Sequence, residues 1–326
     1  MFGFSLIVLC VFYGIRYDFG NDYWSYYNLF LASSYGIDVE VIEPGWGFIN
    51  YLCQPIGFFG MIFLLTVFEY YSVFKHIKLY VDREYWWLAV FIFCFTFNFL
   101  LLGCSMMRQF LAMVILLYTI KYISQRKLIP FLIIVCIAIS IHKTAIIFIP
   151  MYMFSLWLPN INRKYWILSF VVGFICLMVL SKTYLEFFQV AAILFDDEKF
   201  SRYLLGDEGS YSFTIIFDIL WLVLLMYYCP QERIGKIICL ISILSYVFLP
   251  FTFVVVMLLR LMLFFSFFFI FTMPNMIQRI ELNPVRYVVL SIYVFLLIRR
   301  SMVSYNGETY GGYFEYKTIF DSLNWL

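Results

Sequence analysis

Residues 105–150 read SMMRQFLAMVILLYTIKYISQRKLIPFLIIVCIAISIHKTAIIFIP, and this stretch decides the fold. Two long apolar runs flank a basic turn at residues 125–127, Arg108 lies at the start of the first run, and His142 follows the second. If the runs are antiparallel helices joined at that turn, Arg108 and His142 lie at the same depth. Because charge inside a lipid-facing segment is costly, such residues usually mark a functional site.

The composition of the whole chain indicates a membrane protein. Hydrophobic residues make up 64% of the 326 residues, charged residues 13%, and the mean hydropathy is +0.92. A soluble domain has about 45–50% apolar and about 25% charged residues. Apolar runs near the length of a membrane span recur along the chain, and helices satisfy their own backbone groups in lipid. The sequence therefore predicts an all-α, polytopic integral membrane helix bundle.

The apolar runs predict about eleven transmembrane helices in one transmembrane domain, residues 1–326. Residues 128–158 can be interpreted as two short spans that meet at His142 or as one interrupted helix. Long external loops are expected at residues 16–46 and 181–211, with an external tail at 299–326. The predicted spans are 1–15, 47–71, 85–102, 106–123, 128–141, 144–158, 166–180, 212–228, 237–249, 252–273 and 287–298.

The basic residues predict the orientation in the membrane. Twelve of the 22 Lys and Arg residues lie on one side, which the positive-inside rule assigns to the cytoplasm: Lys75, Lys78, Arg83, Lys121, Arg126, Lys127, Arg163, Lys164, Arg233, Lys236, Arg279 and Arg286. A second set lies at the external ends of spans, against this trend: Arg16, Arg108, Lys143, Arg260, Arg299 and Arg300. Each of these could simply extend to the outer headgroups. Together they favour a basic cavity for an anion such as phosphate, which guanidinium groups bind in a bidentate manner.

Several common sites are excluded by the sequence. It contains no GxxxxGK[ST], GxGxxG, GxSxG or HExxH motif, and its two histidines argue against a histidine-based metal centre. The eight cysteines are scattered singly, which favours small buried hydrophobes over a zinc or disulfide framework. The acidic runs at 38–40 and 196–198 could hold a divalent ion, although solvated surface charge is the commoner interpretation. The net charge of +2 gives no indication of nucleic-acid binding.

The remaining polar groups favour glycosyl transfer at the outer face. Arginines would stabilise a departing pyrophosphate, and His142 or a carboxylate of Asp18, Asp22 or Glu43 could accept a proton from an attacking hydroxyl. Aromatic rings beside carboxylates suit sugar binding, although Trp and Tyr are also common at membrane interfaces.

Several motifs follow one another in order along most of the chain. RYDFGNDYWSYY begins at Arg16, EPGW at Glu43, SMMRQFLA at Ser105, IHKTA at Ile141 and KFSRY at Lys199, and Arg260 precedes Pro274. The RQxxA and HxTA pieces, with their spacing, are the most specific of these. Together the motifs resemble EpsG-like proteins, which are polytopic polysaccharide polymerases of the Wzy type.

The resemblance implies a GT-C-like enzyme in the bacterial cytoplasmic (inner) membrane that polymerises repeat units of O-antigen, capsule or exopolysaccharide. It moves a growing chain from one undecaprenyl pyrophosphate onto another lipid-linked unit, and it needs no cofactor and no metal. The implied partners are the undecaprenyl-pyrophosphate-linked oligosaccharide, the lipid bilayer, a chain-length regulator and a flippase, with no nucleic acid.

The resemblance also implies roles for individual residues. Arg108 and Arg260 would bind pyrophosphate, His142 would lie beside the reacting sugar, and Asp22 and Glu43 would orient or deprotonate the acceptor. The expected substrate-binding residues are Arg16, Gln109, Lys143, Tyr203 and Arg299.

Three other functions remain open from the residues alone. An O-antigen ligase is the closest, a flippase or transporter would need ionisable groups across both leaflets, and a membrane O-acyltransferase would leave the arginines unexplained. Structural explanations also exist: an interfacial anchor for Arg108, a helix cap for Glu43 and a hydrogen bond inside the bundle for His142.

Overall fold

The computed structural model describes residues 2–34, 43–96, 99–156, 167–180, 215–252, 258–305 and 315–322. These ranges exclude the predicted substrate-binding residue Tyr203, the acidic runs at 38–40 and 196–198, and the whole loop at 181–211. The chain divides into two compact units, one formed by residues 1–149 with 280–326 and the other by residues 150–279. The single-domain organisation that the sequence suggests stays a prediction.

The first unit is a bundle of helices to which both ends of the chain contribute. Its helices are α1 (Phe2–Gly14), α2 (Tyr23–Ser34), α3 (Pro44–Cys53), α4 (Gly57–Tyr80), α5 (Trp86–Phe95), α6 (Phe99–Ser105), α7 (Met107–Leu117), α8 (Thr119–Ser124) and α9 (Leu128–Ile141). Short 3₁₀ turns lie at Gln54–Ile56, Arg83–Tyr85 and Lys143–Phe148.

The second unit is also helical. Its described helices are α10 (Pro150–Leu156), α11 (Ile167–Leu180), α12 (Ile215–Tyr227), α13 (Arg233–Thr252), α14 (Leu258–Ser266) and α15 (Phe269–Gln278). The chain then returns to the first unit with α16 (Asn283–Tyr305) and α17 (Ile319–Ser322).

Two described helices are long and apolar enough to cross a membrane, Pro44–Tyr80 and Arg233–Thr252. Two bent helix pairs, Arg83–Phe95 with Phe99–Ser105 and Leu258–Ser266 with Phe269–Gln278, bring the number to four if each pair is one span. Several other apolar helices are shorter. An all-α membrane protein is therefore observed, while eleven spans and the GT-C-like architecture stay predictions.

Helix boundaries differ from the sequence prediction where the backbone breaks. The second predicted span, 47–71, lies within a 37-residue helical segment, Pro44–Tyr80. A 3₁₀ turn containing Pro55 interrupts this segment, and Gly57 after it adopts φ +72°, a conformation that glycine tolerates best. Hydropathy alone does not detect such breaks, because the residues on both sides are equally apolar.

His142 lies at a junction between two helical segments. Helix α9 ends at Ile141, His142 is extended with φ −152° and ψ 111°, and a 3₁₀ turn begins at Lys143. Its backbone still takes part in both segments, because His142 N donates to Ala138 O and Ala145 N donates to His142 O. The break therefore turns the His142 side chain out of the regular helix face.

The polar loop at residues 16–46 is not irregular throughout. It contains α2 and a two-residue strand, β1 (Arg16–Tyr17), which pairs in antiparallel register with β2 (Lys317–Thr318) of the tail. The apolar face of α2 packs on a buried cluster of Trp46, Phe58, Met61, Met107 and Ile141. Helix α2 therefore covers the ends of α3, α7 and α9.

Candidate active site

Glu43 is the centre of a cluster of charged side chains under α2. Its carboxylate accepts a hydrogen bond from Arg108 Nη1 at Oε2, and its other oxygen, Oε1, lies 3.6 Å from His142 Nδ1. The Glu43 side chain is only 8% exposed. A carboxylate so shielded from water is stabilised mainly by its cationic neighbours.

The Glu43 side chain does not form the hydrogen bond of a helix cap. Glu43 lies at the N-cap position of α3 with extended backbone, and Pro44 follows at the first helical turn, but its side chain makes no capping hydrogen bond. The carboxylate is turned towards Arg108 instead. Glu43 therefore stands at the start of this helix, as the cap interpretation expects, but it does not cap the helix by a side-chain hydrogen bond.

Arg108 approaches Glu43 from the first turn of α7. Its side chain is 25% exposed, and one guanidinium nitrogen, Nη1, makes the bond to Glu43. The guanidinium carbon lies 5.9 Å from the centroid of the Tyr26 ring, in the range of a cation–π interaction. Among the described residues, the buried Nε has no hydrogen-bond partner. Arg108 is thus held on two sides while part of its fork remains accessible.

His142 approaches Glu43 from the end of α9, and its side chain is 16% exposed. A separation of 3.6 Å between Nδ1 and Oε1 is an ion-pair distance rather than a hydrogen bond. Catalytic hydrogen bonds are often this long without substrate and shorten in the complex. The arrangement lets Glu43 orient the imidazole through Nδ1.

The close packing of α3 against α9 brings the three residues together. A Cβ atom on Gly45 would lie 2.8 Å from the carbonyl carbon and oxygen of Ser140, so only glycine fits there. Ser140 precedes His142 by two residues, and Gly45 follows Glu43 by two. The contact between the helices therefore sets the distance between the carboxylate and the imidazole.

Tyr26 of α2 closes the cluster from above. It is buried, and its ring makes an edge contact with Trp46, with ring centroids 5.5 Å apart. Burial raises the pKa of the Tyr26 hydroxyl, and the neighbouring Arg108 opposes this rise without cancelling it. Tyr26 is therefore a neutral hydrogen-bonding group beside the guanidinium.

The same face of α3 carries unsatisfied polar groups deeper in the unit. Trp46 and Asn50 are fully buried, and among the described residues neither the indole N–H of Trp46 nor either amide atom of Asn50 has a hydrogen-bond partner. Buried polar groups are normally hydrogen-bonded, so these two residues each carry a desolvation penalty.

Arg16 belongs to a second polar cluster. It is 3% exposed, and its Nη1 donates to Tyr13 O at 2.6 Å and to Thr66 Oγ1 at 3.0 Å. Glu69, one turn after Thr66 on α4, is also buried. Arg16 therefore anchors the start of the loop at residues 16–46 to α4. Its role in substrate binding stays a prediction.

The other predicted site residues lie in different places. Asp22 and Lys143 are exposed, and Gln109 is buried beside Arg108. Arg299 is exposed on α16, and Arg260 is half-buried on α14 in the second unit.

The sequence did not identify Tyr26, Trp46 or Asn50 as site residues. Trp46 and Asn50 follow Glu43 by three and seven residues, a spacing that puts all three on one helix face, so this spacing could have identified them.

No metal centre is visible in the part of the chain that the structure describes, where no three or more His, Cys, Asp or Glu side chains form a group that could hold an ion. The cluster of Glu43, Arg108 and His142 contains two cationic or basic groups around one carboxylate. Such a set suits anion binding and proton transfer, whereas a cation site needs more oxygen ligands.

Comparison with known proteins gives a family. The model of the EpsG family matches residues 1–318, almost the full length of the chain. No curated protein and no solved structure matches the chain. The apolar helices and the family agree on a membrane-embedded protein. The chain belongs to the EpsG family of membrane proteins of the polysaccharide polymerase type.

Proposed function

We propose that the chain polymerises undecaprenyl-pyrophosphate-linked oligosaccharide repeat units at the outer face of the bacterial cytoplasmic membrane, without a metal ion. The products would be O-antigen, capsule or exopolysaccharide. The observation that carries the proposal is the convergence of Arg108 and His142 on the carboxylate of Glu43. The three residues come from separate elements, and the positive-inside rule assigns their end of the bundle to the outer face.

The reaction requires a hydroxyl to replace pyrophosphate at a sugar carbon. The acceptor hydroxyl attacks the anomeric carbon of the donor, the bond from that carbon to the pyrophosphate oxygen breaks, and the pyrophosphate leaves with the electron pair. The hydroxyl proton passes to a base. Two groups are therefore needed, one to take the proton and one to stabilise the negative charge of the leaving group.

In this proposal His142 accepts the proton at Nε2 while Glu43 orients the ring through Nδ1. A carboxylate that faces one nitrogen of an imidazole selects the tautomer and stabilises the imidazolium that forms. Glu43 therefore acts on the base rather than directly on the acceptor. This refines the role expected from the family resemblance, in which Glu43 itself orients or deprotonates the acceptor.

Arg108 would bind the departing pyrophosphate. Its hydrogen bond to Glu43 uses Nη1 and leaves other N–H groups of the fork for phosphate oxygens, while Tyr26 packs beside the guanidinium. Arg260 would supply a second positive charge, as the family resemblance implies. Exposed Asp22, Lys143 and Arg299 would contact the sugars or phosphates at the rim. Buried Gln109 and Arg16, and Tyr203 outside the described residues, would contribute to substrate binding as the family resemblance implies.

The proposal is tested by chromosomal variants and gel analysis of the surface polysaccharide. Arg108→Ala is expected to abolish the ladder of chain lengths and leave a single repeat unit on its normal acceptor. Lys127→Ala, an exposed cation at the opposite end of α9, is the matched control and should leave the ladder unchanged. Immunoblots of the membrane fraction establish that both variants are present in equal amounts.

Two results would contradict the proposal. A normal ladder in Arg108→Ala would show that Arg108 is not needed to bind the pyrophosphate. Loss of all decoration after deletion of the gene, with finished polymer accumulating on the lipid carrier, would indicate a ligase instead.

A further inference from the structure

The outer face of α2 carries an exposed tryptophan close to the ion cluster. Trp24 is 45% exposed and lies about 200° around the helix from Tyr26, the residue that contacts Arg108. One short helix therefore presents a buried ring to the charged cluster and an exposed ring to the outside. The proposed function uses only the buried one.

The exposed indole is held in one orientation. Its Nε1 donates to Asp18 Oδ1 at 2.5 Å. Three tyrosines surround it in nearly perpendicular contacts, with ring centroids 5.9 Å away for Tyr17, 5.5 Å for Tyr23 and 5.6 Å for Tyr27. The ring is therefore fixed before any ligand arrives, which reduces the entropy lost on binding.

Asp18 is itself fixed. It adopts φ +49°, a conformation that is uncommon for residues other than glycine, and its Oδ2 lies 3.8 Å from Lys317 Nζ of the C-terminal tail. The tail thus supports the carboxylate, and the carboxylate supports the indole.

This geometry differs from that of a tryptophan that anchors a protein at the membrane interface. An interfacial indole keeps its apolar body in lipid and directs its N–H to the headgroups or water. The N–H of Trp24 is instead bonded to Asp18, and charged Asp18, Asp22 and Lys317 lie on the same loop and tail. Charges so close to a lipid-buried ring would be costly, so the ring faces an aqueous ligand.

We propose that Trp24 is a sugar-binding platform, on which a pyranose ring of the lipid-linked oligosaccharide stacks its C–H face. Exposed Ser25 and Asn28, on the same helix, together with the remaining oxygen of Asp18, supply hydrogen bonds to the ring hydroxyls. The platform is the outward-facing surface of these four residues. It rests on the proposed function, because it names the part of the substrate that this surface binds.

The charges of the platform restrict the sugar. Asp18 and Asp22 are carboxylates, and Lys317 compensates only one of them. A uronic acid at this position would be repelled, whereas a neutral or amino sugar would not. We therefore expect the sugar that stacks on Trp24 to be a neutral or amino pyranose.

The test measures binding of the free repeat-unit oligosaccharide, released from the lipid-linked pool by mild acid, to the full chain in nanodiscs. Saturation-transfer NMR with wild type and Trp24→Leu gives the two affinities. Leucine keeps an apolar side chain and removes the aromatic face, so we expect affinity to fall about tenfold. Trp24→Tyr keeps an aromatic face and should retain most of the affinity.

Trp87→Leu is the matched control. Trp87 is 53% exposed at the start of α5, next to the basic turn on the predicted cytoplasmic side. We expect its affinity for the oligosaccharide to equal that of wild type. The proposal is overturned if Trp24→Leu binds as tightly as wild type, if Trp87→Leu weakens binding as much, or if wild type does not bind the oligosaccharide.

The same assay separates this proposal from the polymerase proposal. Arg108 lies on α7, against the face of α2 opposite Trp24, and would bind the pyrophosphate that the free oligosaccharide lacks. Arg108→Ala should therefore still bind the free oligosaccharide while losing the ladder. A normal ladder in Arg108→Ala with weak binding in Trp24→Leu would reject the polymerase chemistry and keep the platform. If Arg108→Ala loses the ladder and Trp24→Leu binds the oligosaccharide as tightly as wild type, the platform is rejected and the polymerase proposal is kept.

Discussion

Gly45 of α3 and Ser140 of α9 touch so closely that a methyl group on Gly45 would lie 2.8 Å from the Ser140 backbone carbonyl. This contact lies two residues from Glu43 on one helix and two residues from His142 on the other. The absence of a side chain at position 45 therefore fixes the separation of the carboxylate and the imidazole.

Gly45→Ala is expected to force α3 and α9 apart and abolish polymer. Overpacking of this kind destabilises a protein by about 1–3 kcal/mol, so the chain should still insert and fold. The polysaccharide ladder and the membrane abundance are measured together. Gly3→Ala is the control, because nothing lies within 4 Å of a Cβ atom there. A full ladder in Gly45→Ala would show that the cluster tolerates this displacement.

The pairing of Glu43 with Arg108 predicts a non-additive pair of substitutions. Glu43→Gln or Arg108→Gln alone leaves the other charge partly buried and uncompensated, at a cost of about 1–3 kcal/mol. The double variant removes both charges and should recover most of the thermal stability in detergent but none of the activity. Additive losses of stability would mean that the two side chains do not interact in solution.

Asn50→Leu is expected to raise thermal stability. The Asn50 amide is fully buried and without a hydrogen-bond partner among the described residues, and replacing such a group by an apolar one of similar size should gain about 1 kcal/mol. The measurement is the midpoint of thermal unfolding in nanodiscs, with Asn28→Leu on the exposed face of α2 as the control. A lower midpoint would show that Asn50 has a partner that stabilises the fold.

Arg260→Ala is expected to abolish polymer if this residue supplies the second positive charge for pyrophosphate. Arg260→Lys keeps a charge but loses the planar fork and should retain only weak activity. The control is Arg286→Ala, which changes an arginine on the predicted cytoplasmic side. Its ladder should be normal. Ordinary polysaccharide chain lengths in Arg260→Ala would show that Arg260 does not bind the pyrophosphate.

The docking of the C-terminal tail should depend on pH. Asp321 accepts hydrogen bonds from the Thr318 amide at 2.6 Å and the Thr318 hydroxyl at 2.9 Å, and these lower the pKa of its carboxyl below the ordinary 3.8. A lowered pKa means that the stabilisation is fully present above the ordinary value and is lost as the pH falls below it.

Hydrogen exchange at residues 315–322, corrected for intrinsic rates, should therefore be slow at pH 7 and faster near pH 3. In Asp321→Asn the tail should exchange faster at pH 7, and the change between the two pH values should be smaller. Equal protection of wild type at both pH values would contradict this assignment.

The meeting of Arg108 and His142 was accessible from the sequence, because two apolar runs around a basic turn must pair as antiparallel helices. The position of Glu43 between these two residues could not be predicted from the sequence. Residue 43 precedes Arg108 by 65 positions, and no local pattern specifies that contact. The break at His142 was expected from the sequence, but two other helix breaks were missed. The turn at Gln54–Ile56 and the bend between Phe95 and Phe99 lie within apolar sequence, where hydropathy does not change.

The pairing of β1 with β2 had no sequence signal at all. Each strand has two residues, and an antiparallel pair of that length is stabilised by its surroundings rather than by strand propensity. Here Tyr316 stacks on Phe12 at a centroid distance of 4.0 Å and donates to the Phe12 carbonyl. Contacts with α1 therefore hold the described part of the predicted polar tail, residues 315–322, in place.

The pairing of the two ends also sets the order of biogenesis. Phe12 and Tyr316 are 304 positions apart, so at about 5–20 residues per second β1 waits about 15–60 s for its partner to be synthesised. During that time the loop that carries Asp18 and Trp24 lacks the support of Lys317. The loop therefore acquires this support only after residues 317–318 have been synthesised and have left the ribosome, late in the assembly of the unit.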